Sequence, residues 1–169
     1  MRFTLENRID APLNDVEQAS LDDEFQRRLT SLPNVHERRI LSVETDEGGC
    51  VHRLVRYAFA GPVPAPVLRA IGGSTISWDE KATFDPSAHE WRFKIEPHVM
   101  AGRFECDGRY AFVPEGDSTT RIVEADIRVK IPIVGRQVER FISGSLKTTM
   151  NAEAAMLDEY LKWKREPAS

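Results

Sequence analysis

The chain contains little of what metal, redox and disulfide sites are built from. Only two of its 169 residues are cysteine and only four are histidine. Cys50 and Cys106 lie far apart, without the paired spacing of a zinc or thiol-redox site. The histidines show neither metal-ligand spacing nor a hydrolase arrangement. We therefore expect two unpaired thiols, no bound metal and no cofactor.

Long apolar runs and an excess of basic residues are also missing. No stretch approaches the roughly 20 apolar residues of a membrane-spanning helix, and Met1 leads into an alternating segment where a secretory signal would carry a basic and then an apolar region. The formal net charge is -4, whereas nucleic-acid-binding proteins cluster Lys and Arg in excess of acidic residues. These absences favour a cytoplasmic protein with no integral membrane association and no nucleic-acid partner.

The chain does have enough apolar residues to build a core. Hydrophobic residues make up 41% of the sequence, which at this length supports one folded domain without metals or disulfides. No repeat, low-complexity tract or linker interrupts it. We predict a single domain over residues 1–165, followed by a loose tail over 166–169.

Apolar and polar residues alternate in a series of segments that predict β-strands. Phe3, Leu5 and Ile9 alternate with polar residues, and Pro12 then suits the first turn of a helix. Two short helices are predicted near 12–20 and 22–31. From 35 to 130, alternating segments recur about every dozen residues with short turns between them, which is typical of an antiparallel meander.

One long helical pattern follows the strands, from about Ile133 to Arg165. Apolar residues recur along it at steps of three and four, which predicts one face packed against the sheet. Bulky residues stand at both ends of this face, whereas Ser145, Thr149 and Ala152 occupy its middle. A helix shaped in this way would contact its partner at two ends and leave a gap between them, so we predict an interior cavity there.

The segment from Gly61 to Leu68 does not fit the strand pattern. Its three prolines exclude regular ladder pairing, yet the residues between them are apolar, which is unusual for a solvated loop. We predict a covered loop that forms part of the entrance to the cavity.

The order of these elements resembles the helix-grip fold of the START-like superfamily, which includes START lipid-transfer domains, Bet v 1-type plant proteins and polyketide cyclases and aromatases. The junction Ile9-Asp10-Ala11-Pro12 is similar to the superfamily's first strand-to-helix step. The run Pro132-Ile133-Val134-Gly135 resembles the C-terminal half of an uncharacterised bacterial family within it. The resemblance implies an α+β fold in which a curved antiparallel sheet of about seven strands grips the terminal helix around an apolar cavity, but it implies no single activity.

Two groups of residues are candidates for binding a ligand in that cavity. The first group consists of aromatic residues on inward strand faces and the terminal helix, and the second of the small residues at the middle of the helix. Apolar walls with a few polar groups are typical of small-molecule sites, although each aromatic could equally be plain core. The candidates are Trp78, Trp91, Phe93, Phe104, Tyr110, Phe141, Ser145, Thr149 and Ala152.

Three residues are candidates for acid or base chemistry. Strict alternation with Trp78 points Glu80 inward, so either a β-bulge turns it outward or it is a cavity carboxylate with a raised pKa. Tyr110 could offer its hydroxyl to a ligand, or could reach water at the rim of the sheet. His98 follows a strand end near the expected mouth of the cavity.

These observations support three hypotheses for function. The first is the binding or carriage of a hydrophobic or amphipathic small molecule, such as a lipid, a polyketide or an isoprenoid-like compound. The second is an enzyme of the polyketide cyclase or aromatase kind, in which a shaped pocket and one acid or base suffice. The third is a protein-interaction module. The sequence leaves open whether the chain is a monomer or a dimer.

Overall fold

A computed structural model describes residues 1–167 of the chain. Within this range the chain forms seven strands and four α-helices. The strands are β1 (Arg2–Ile9), β2 (Val35–Thr45), β3 (Val51–Phe59), β4 (Ser77–Asp85), β5 (Glu90–Pro97), β6 (Phe104–Glu115) and β7 (Ser118–Val129). The helices are α1 (Leu13–Leu21), α2 (Asp23–Arg28), which a 3₁₀ turn follows, α3 (Ala65–Ala70) and α4 (Gly135–Arg165).

The strands form a seven-stranded antiparallel sheet in the order β1-β7-β6-β5-β4-β3-β2. Strands β2 to β7 are a meander in which each strand pairs with the next. Strand β1 pairs with β7 at the far edge, so α1 and α2 carry the chain across the sheet from β1 to β2. The predicted α+β helix-grip fold, with two short helices after β1 and a long terminal helix, is confirmed.

Helix α4 is anchored where it leaves the sheet. A Cβ atom on Gly135 would lie 2.7 Å from the carbonyl oxygen of Val129, so only glycine allows the first turn of the helix to approach β7 this closely. The Glu139 side chain, one turn further on, accepts a hydrogen bond from the Val129 amide at 3.0 Å. The end of β7 therefore determines where α4 begins.

One end of the interior is filled. We call it the packed end; it comprises Ala82–Phe84 of β4, Trp91–Phe93 of β5 and Tyr110–Phe112 of β6, with the helices above them. Phe25 of α2 lies against Tyr160 of α4, with ring centroids 5.4 Å apart, and the Trp91 indole is fully buried and donates to the Ser20 hydroxyl at 3.3 Å. The second half of α4 is held here by Ala154 and Leu157, both buried.

Two details differ from the sequence-based expectation. The proline-rich segment contains a helix, α3, where a loop was predicted, because Pro64 and Pro66 supply the fixed backbone angle that suits a helix start. Trp163 follows the three- and four-residue spacing of the apolar face of the terminal helix but is 51% exposed, with the Arg28 guanidinium 4.1 Å above its ring.

Two residues of the predicted tail lie in the described part of the chain. Glu166 and Pro167 follow the helix as an exposed segment, and residues 168 and 169 lie outside the described part of the chain. No helix within residues 1–167 is both long and apolar enough to cross a membrane.

Candidate functional site

The other end of the interior encloses a cavity of about 120 Å³. We call it the cavity end; it comprises Tyr57–Phe59 of β3, Ser77–Glu80 of β4 and Ile95–Pro97 of β5. The first half of α4 covers it, and α3 forms one side. The wall is mostly apolar and includes Tyr57, Phe59, Trp78, Ile95, Phe104, Val67, Ile71, Val138, Phe141, Ile142 and Leu146.

The cavity lies beneath the small residues of α4. Ser145 and Thr149 form its roof, between Phe141 on one side and the buried Ala154 and Leu157 on the other. The Thr149 hydroxyl lies 3.1 Å from the carbonyl oxygen of Pro33 and 3.0 Å from that of Ser145, so its polar atom is satisfied by the backbone. The gap that the helix pattern predicted is therefore present, but it extends towards the start of the helix.

Glu80 is the acidic residue that β4 contributes to this cavity. Strand β4 pairs with β3 and β5 without a register shift across Glu80, so strict alternation directs its side chain inward. Its carboxylate lines the cavity together with Glu153 of α4. Among residues 1–167, no side chain forms a hydrogen bond or ion pair with the Glu80 carboxylate.

Burial, together with the nearby charge of Glu153, raises the pKa of Glu80 to about 6. Arg53 and Arg38 lower the same pKa in part. Part of the Glu80 surface is still accessible because the cavity reaches it, while the surrounding protein removes it from bulk water. A carboxyl with this pKa changes its protonation state just below neutral pH.

The arginines near Glu80 are committed to other partners. Arg38 donates to the Gln26 side chain at 2.6 Å and to the Tyr57 hydroxyl at 3.2 Å. Arg53 donates to the backbone of Ser20 and lies 4.2 Å above the Trp91 ring. A third arginine, Arg121, donates to Glu153 at 3.0 Å. None of these arginines pairs with the Glu80 carboxylate, although the Nε atoms of Arg53 and Arg121 are buried without a hydrogen-bond partner.

Five of the nine residues predicted to bind a ligand line the cavity. They are Trp78, Phe104, Phe141, Ser145 and Thr149. Trp78 stacks on Tyr57 with ring centroids 5.2 Å apart, and Phe141 meets Phe59 edge to face at 5.5 Å. The cavity wall is therefore built partly from aromatic pairs that hold one another in place.

The other four predicted residues lie outside the cavity wall, and their placement there was wrong. Trp91 and Phe93 are buried at the packed end, and Tyr110 lies between them and Phe112 with ring centroids about 6 Å apart. Ala152 packs against the core rather than the cavity. The physical reason is that side chains of α1 and α2 fill the packed end, which strand alternation alone does not reveal.

Two of the three candidate acid–base residues are also displaced from the cavity. Burial raises the pKa of Tyr110 well above its usual range, and its ring lies in the packed end. His98 sits on the outer side, where Nε2 is 3.1 Å from Asp79 and Nδ1 is 2.8 Å from the Ser77 hydroxyl. Pro97 takes the inward position next to it. Only Glu80 of the three reaches the cavity.

Several residues of the wall were not predicted from the sequence. Val67 and Ile71 reach it from α3, and Val99 and Met100 from the connection between β5 and β6. The proline at the start of α3 is a signal that could have identified the helix. Glu153 was not singled out from the sequence, because helical spacing does not distinguish a carboxylate that faces a cavity from one that faces solvent.

The architecture and the enclosed cavity define a protein of the START-like, Bet v 1-type fold class. Within that class, the chain belongs to the family described as a protein of unknown function, DUF2505, whose model matches residues 4–161. No curated protein sequence matches the chain.

Solved structures share this fold at low sequence identity. An aromatase/cyclase, Zhui, from a Streptomyces species is 12% identical with a TM-score of 0.69, over 100% of this chain and 98% of that one. Norcoclaurine synthase from Thalictrum flavum is 16% identical with a TM-score of 0.66, over 95% and 86%. A START superfamily protein from Mycobacterium smegmatis is 18% identical with a TM-score of 0.59, over 96% and 98%.

Proposed function

We propose that the chain binds a small hydrophobic or amphipathic molecule in the cavity between α4 and the sheet. One observation carries this proposal: the cavity is bounded by apolar and aromatic side chains, with Ser145 and Thr149 holding its roof away from the sheet. A packed interior has few voids larger than a water molecule, so a lined space of about 120 Å³ is more than a packing defect.

The cavity volume sets the size of the ligand. An apolar cavity of about 150 Å³ accepts one benzene molecule, so this cavity, as it stands, takes a single ring or a short alkyl segment. Small-molecule pockets more often measure about 300 Å³ or more. A lipid, polyketide or isoprenoid-like ligand therefore enters only if α3 and the segment around Met100 move outward.

Helix α3 is the element best placed to admit such a ligand. It is a single short helix that contributes Val67 and Ile71 to the wall, while Leu68 is 41% exposed on its outer side. Short helices with little packing behind them open at a lower free energy than the sheet they cover. In this proposal the proline-rich segment forms part of the entrance to the cavity.

The test is binding of toluene, a single-ring apolar probe, followed by NMR chemical-shift changes of the wall residues. We expect shifts at Trp78 and Phe141 and none at Trp91 in the packed end. A Ser145→Leu variant, which places a larger side chain in the cavity, is the control and should lose these shifts. The proposal would be overturned if toluene caused no chemical-shift changes in the wild type, or if it caused the same changes in the variant.

An enzyme of the cyclase or aromatase kind is the second candidate function. The observation that favours it is Glu80, an acid whose pKa is raised to about 6 inside the cavity, because efficient general acids and bases have a pKa near the working pH. The test is a turnover found for the wild type that Glu80→Gln abolishes while toluene still binds. Unchanged turnover in this variant would exclude Glu80 as the acid or base.

A further inference from the structure

The Glu80 carboxylate is a charged group without a protein partner in a mostly apolar cavity. Among residues 1–167 it forms no ion pair and no hydrogen bond, although buried charges in proteins are normally paired. The nearest arginines already donate to other acceptors. A donor on a bound ligand would therefore give the carboxylate the direct partner that these arginines do not supply.

We propose that the ligand is a small amine, whose ammonium group pairs with Glu80 while its ring or alkyl body fills the apolar part of the cavity. This inference rests on the proposed function, because it assigns the polar end of the same ligand. The ammonium would supply the counter-charge and the hydrogen-bond donors that the carboxylate lacks.

The charges around the site favour a cation over an anion. Two carboxylates, Glu80 and Glu153, line the cavity, whereas none of the three nearby arginines does. An anionic ligand would meet like charge at the wall. Glu153 already accepts from Arg121 at 3.0 Å, so Glu80 is the acceptor that remains for a ligand.

A neutral alcohol is the alternative ligand that the geometry of the site distinguishes least from an amine. It could donate one hydrogen bond to Glu80 but would add no positive charge beside the carboxylate. A charge-assisted hydrogen bond contributes more than a neutral one, so the protein should prefer the amine to the alcohol of equal size.

The experiment measures the binding of three single-ring probes by isothermal titration calorimetry at pH 7.5. Benzylamine carries the ammonium, benzyl alcohol is its neutral counterpart of similar size, and benzoate carries the opposite charge. We expect benzylamine to bind about tenfold or more tightly than benzyl alcohol, and benzoate to bind least. Glu80→Gln should abolish the preference for benzylamine over benzyl alcohol.

The control is Glu96→Gln, which removes an outward carboxylate of β5 that pairs with Lys81 at 2.8 Å. It should keep the wild-type preference. Equal affinity for benzylamine and benzyl alcohol in the wild type, or a preference that survives Glu80→Gln, overturns the amine assignment while toluene binding still supports the cavity. Failure of toluene and of all three probes overturns the proposed function itself.

The same titration at lower pH gives an independent readout. The groups that face Glu80 are Arg38, Arg53 and Tyr57 from β2 and β3, Cys106 and Tyr110 from β6, and Glu153 from α4. The arginines stay charged and the phenols and thiol stay neutral, whereas Glu80, with a pKa of about 6, loses its charge between pH 7.5 and 5. The preference for benzylamine should fall over this range in the wild type, and an unchanged preference would overturn the assignment.

Discussion

The packed end and the cavity end share strands β4 and β5 and are covered by the same helix, but only one of them is filled. At the packed end, α1, α2 and the 3₁₀ turn after α2 insert Val16, Phe25 and Leu29 between the sheet and α4, and all three are buried. At the cavity end, the cover consists of α3 and the small residues Ser145 and Thr149. The difference shows that the helices beside α4, as much as α4 itself, decide where the interior stays open.

Backbone strain is also distributed unequally between the two ends. Asn34 and Met100 have positive φ angles of 62° and 61° and line the cavity, and Ile133, with φ of 70°, lies just before α4. Near the packed end, among the described residues other than glycine, His89 alone has a positive φ angle, which is 54°. Strained residues persist where the surrounding structure holds them, which suits a cavity wall kept apart by its neighbours.

The largest difference in stability between the two ends is expected when leucine is replaced by alanine at two positions of α4. Leu157 lies in the packed end and is 2% exposed, whereas Leu146 lines the cavity. Leu157→Ala should lower the free energy of unfolding by about 3 kcal/mol. Leu146→Ala should lower it by only about 1 kcal/mol, because Leu146 borders the cavity and has fewer packing contacts to lose. Urea denaturation followed by circular dichroism measures both.

Equal losses of stability in these two variants would contradict the division into a packed end and a cavity end. A match in helix content between both variants and the wild type at zero urea is the control, because it excludes fraying of α4 as the cause of either loss.

How much of this division could be predicted from the sequence is seen best on α4 and β4. Period and spacing identified the strands, the terminal helix and the gap under Ser145 and Thr149, because alternation and helical steps report directly which face is buried. The same patterns directed both Trp78 and Trp91 inward, and both do point there. They could not show that Trp91 meets Ser20 of α1, since that contact joins residues distant in the sequence.

Glu80 illustrates the other limit of sequence reasoning. Alternation left two possibilities, a β-bulge or a cavity carboxylate, and the continuous register of β4 selects the inward position. The partners of Arg38, Arg53 and Arg121 could not be predicted, because each is set by the packing of three or more elements. The absence of a partner for Glu80 follows from those contacts rather than from its own neighbours in the chain.

A second pair of substitutions tests the free volume directly. Ser145→Leu adds a side chain over the cavity, whereas Ala154→Leu adds the same side chain to the packed end, where Ala154 is 4% exposed. Ala154→Leu should destabilise the protein by about 2 kcal/mol through overpacking. Ser145→Leu should leave the free energy of unfolding unchanged or raise it, and the two thermal transitions report the difference. A loss of stability for Ser145→Leu as large as that for Ala154→Leu would show that no usable volume exists.

Neighbouring residues on β4 should give opposite responses to pH, since Asp79 faces outward and Glu80 inward. Pairing with Arg56 holds the pKa of Asp79 at about 2, so its contribution is complete above about pH 4 and is lost as the pH falls towards 2. The pKa of Glu80 is raised from 4.5 to about 6, so the folded state binds its proton more tightly and stability falls as the pH rises from 4.5 to 6. Replacing Glu80 by Gln should therefore stabilise the protein more at pH 7.5 than at pH 4.5, by at most about 2 kcal/mol.

Urea denaturation at the two pH values measures this difference. Asp79→Asn is the matched variant and should be destabilising at pH 7.5, with a smaller effect near pH 2.5 than near pH 5. A Glu80→Gln effect that is constant with pH would mean that the carboxyl is solvated as an ordinary surface glutamate is.

The smallest expected effect concerns the strained residue before α4. Ile133 is fully exposed and β-branched, yet it adopts a positive φ of 70°, a conformation that glycine takes at no steric cost. Ile133→Gly should raise the free energy of unfolding by about 0.5–1 kcal/mol, without changing toluene binding, because the Ile133 side chain takes no part in the cavity wall. Val134→Gly is the control, since Val134 has φ of -101° and should lose stability when it becomes glycine. If both variants lose stability, the left-handed backbone at Ile133 is not a source of strain. Asn34 and Met100 would then be the strained residues that remain at the cavity end.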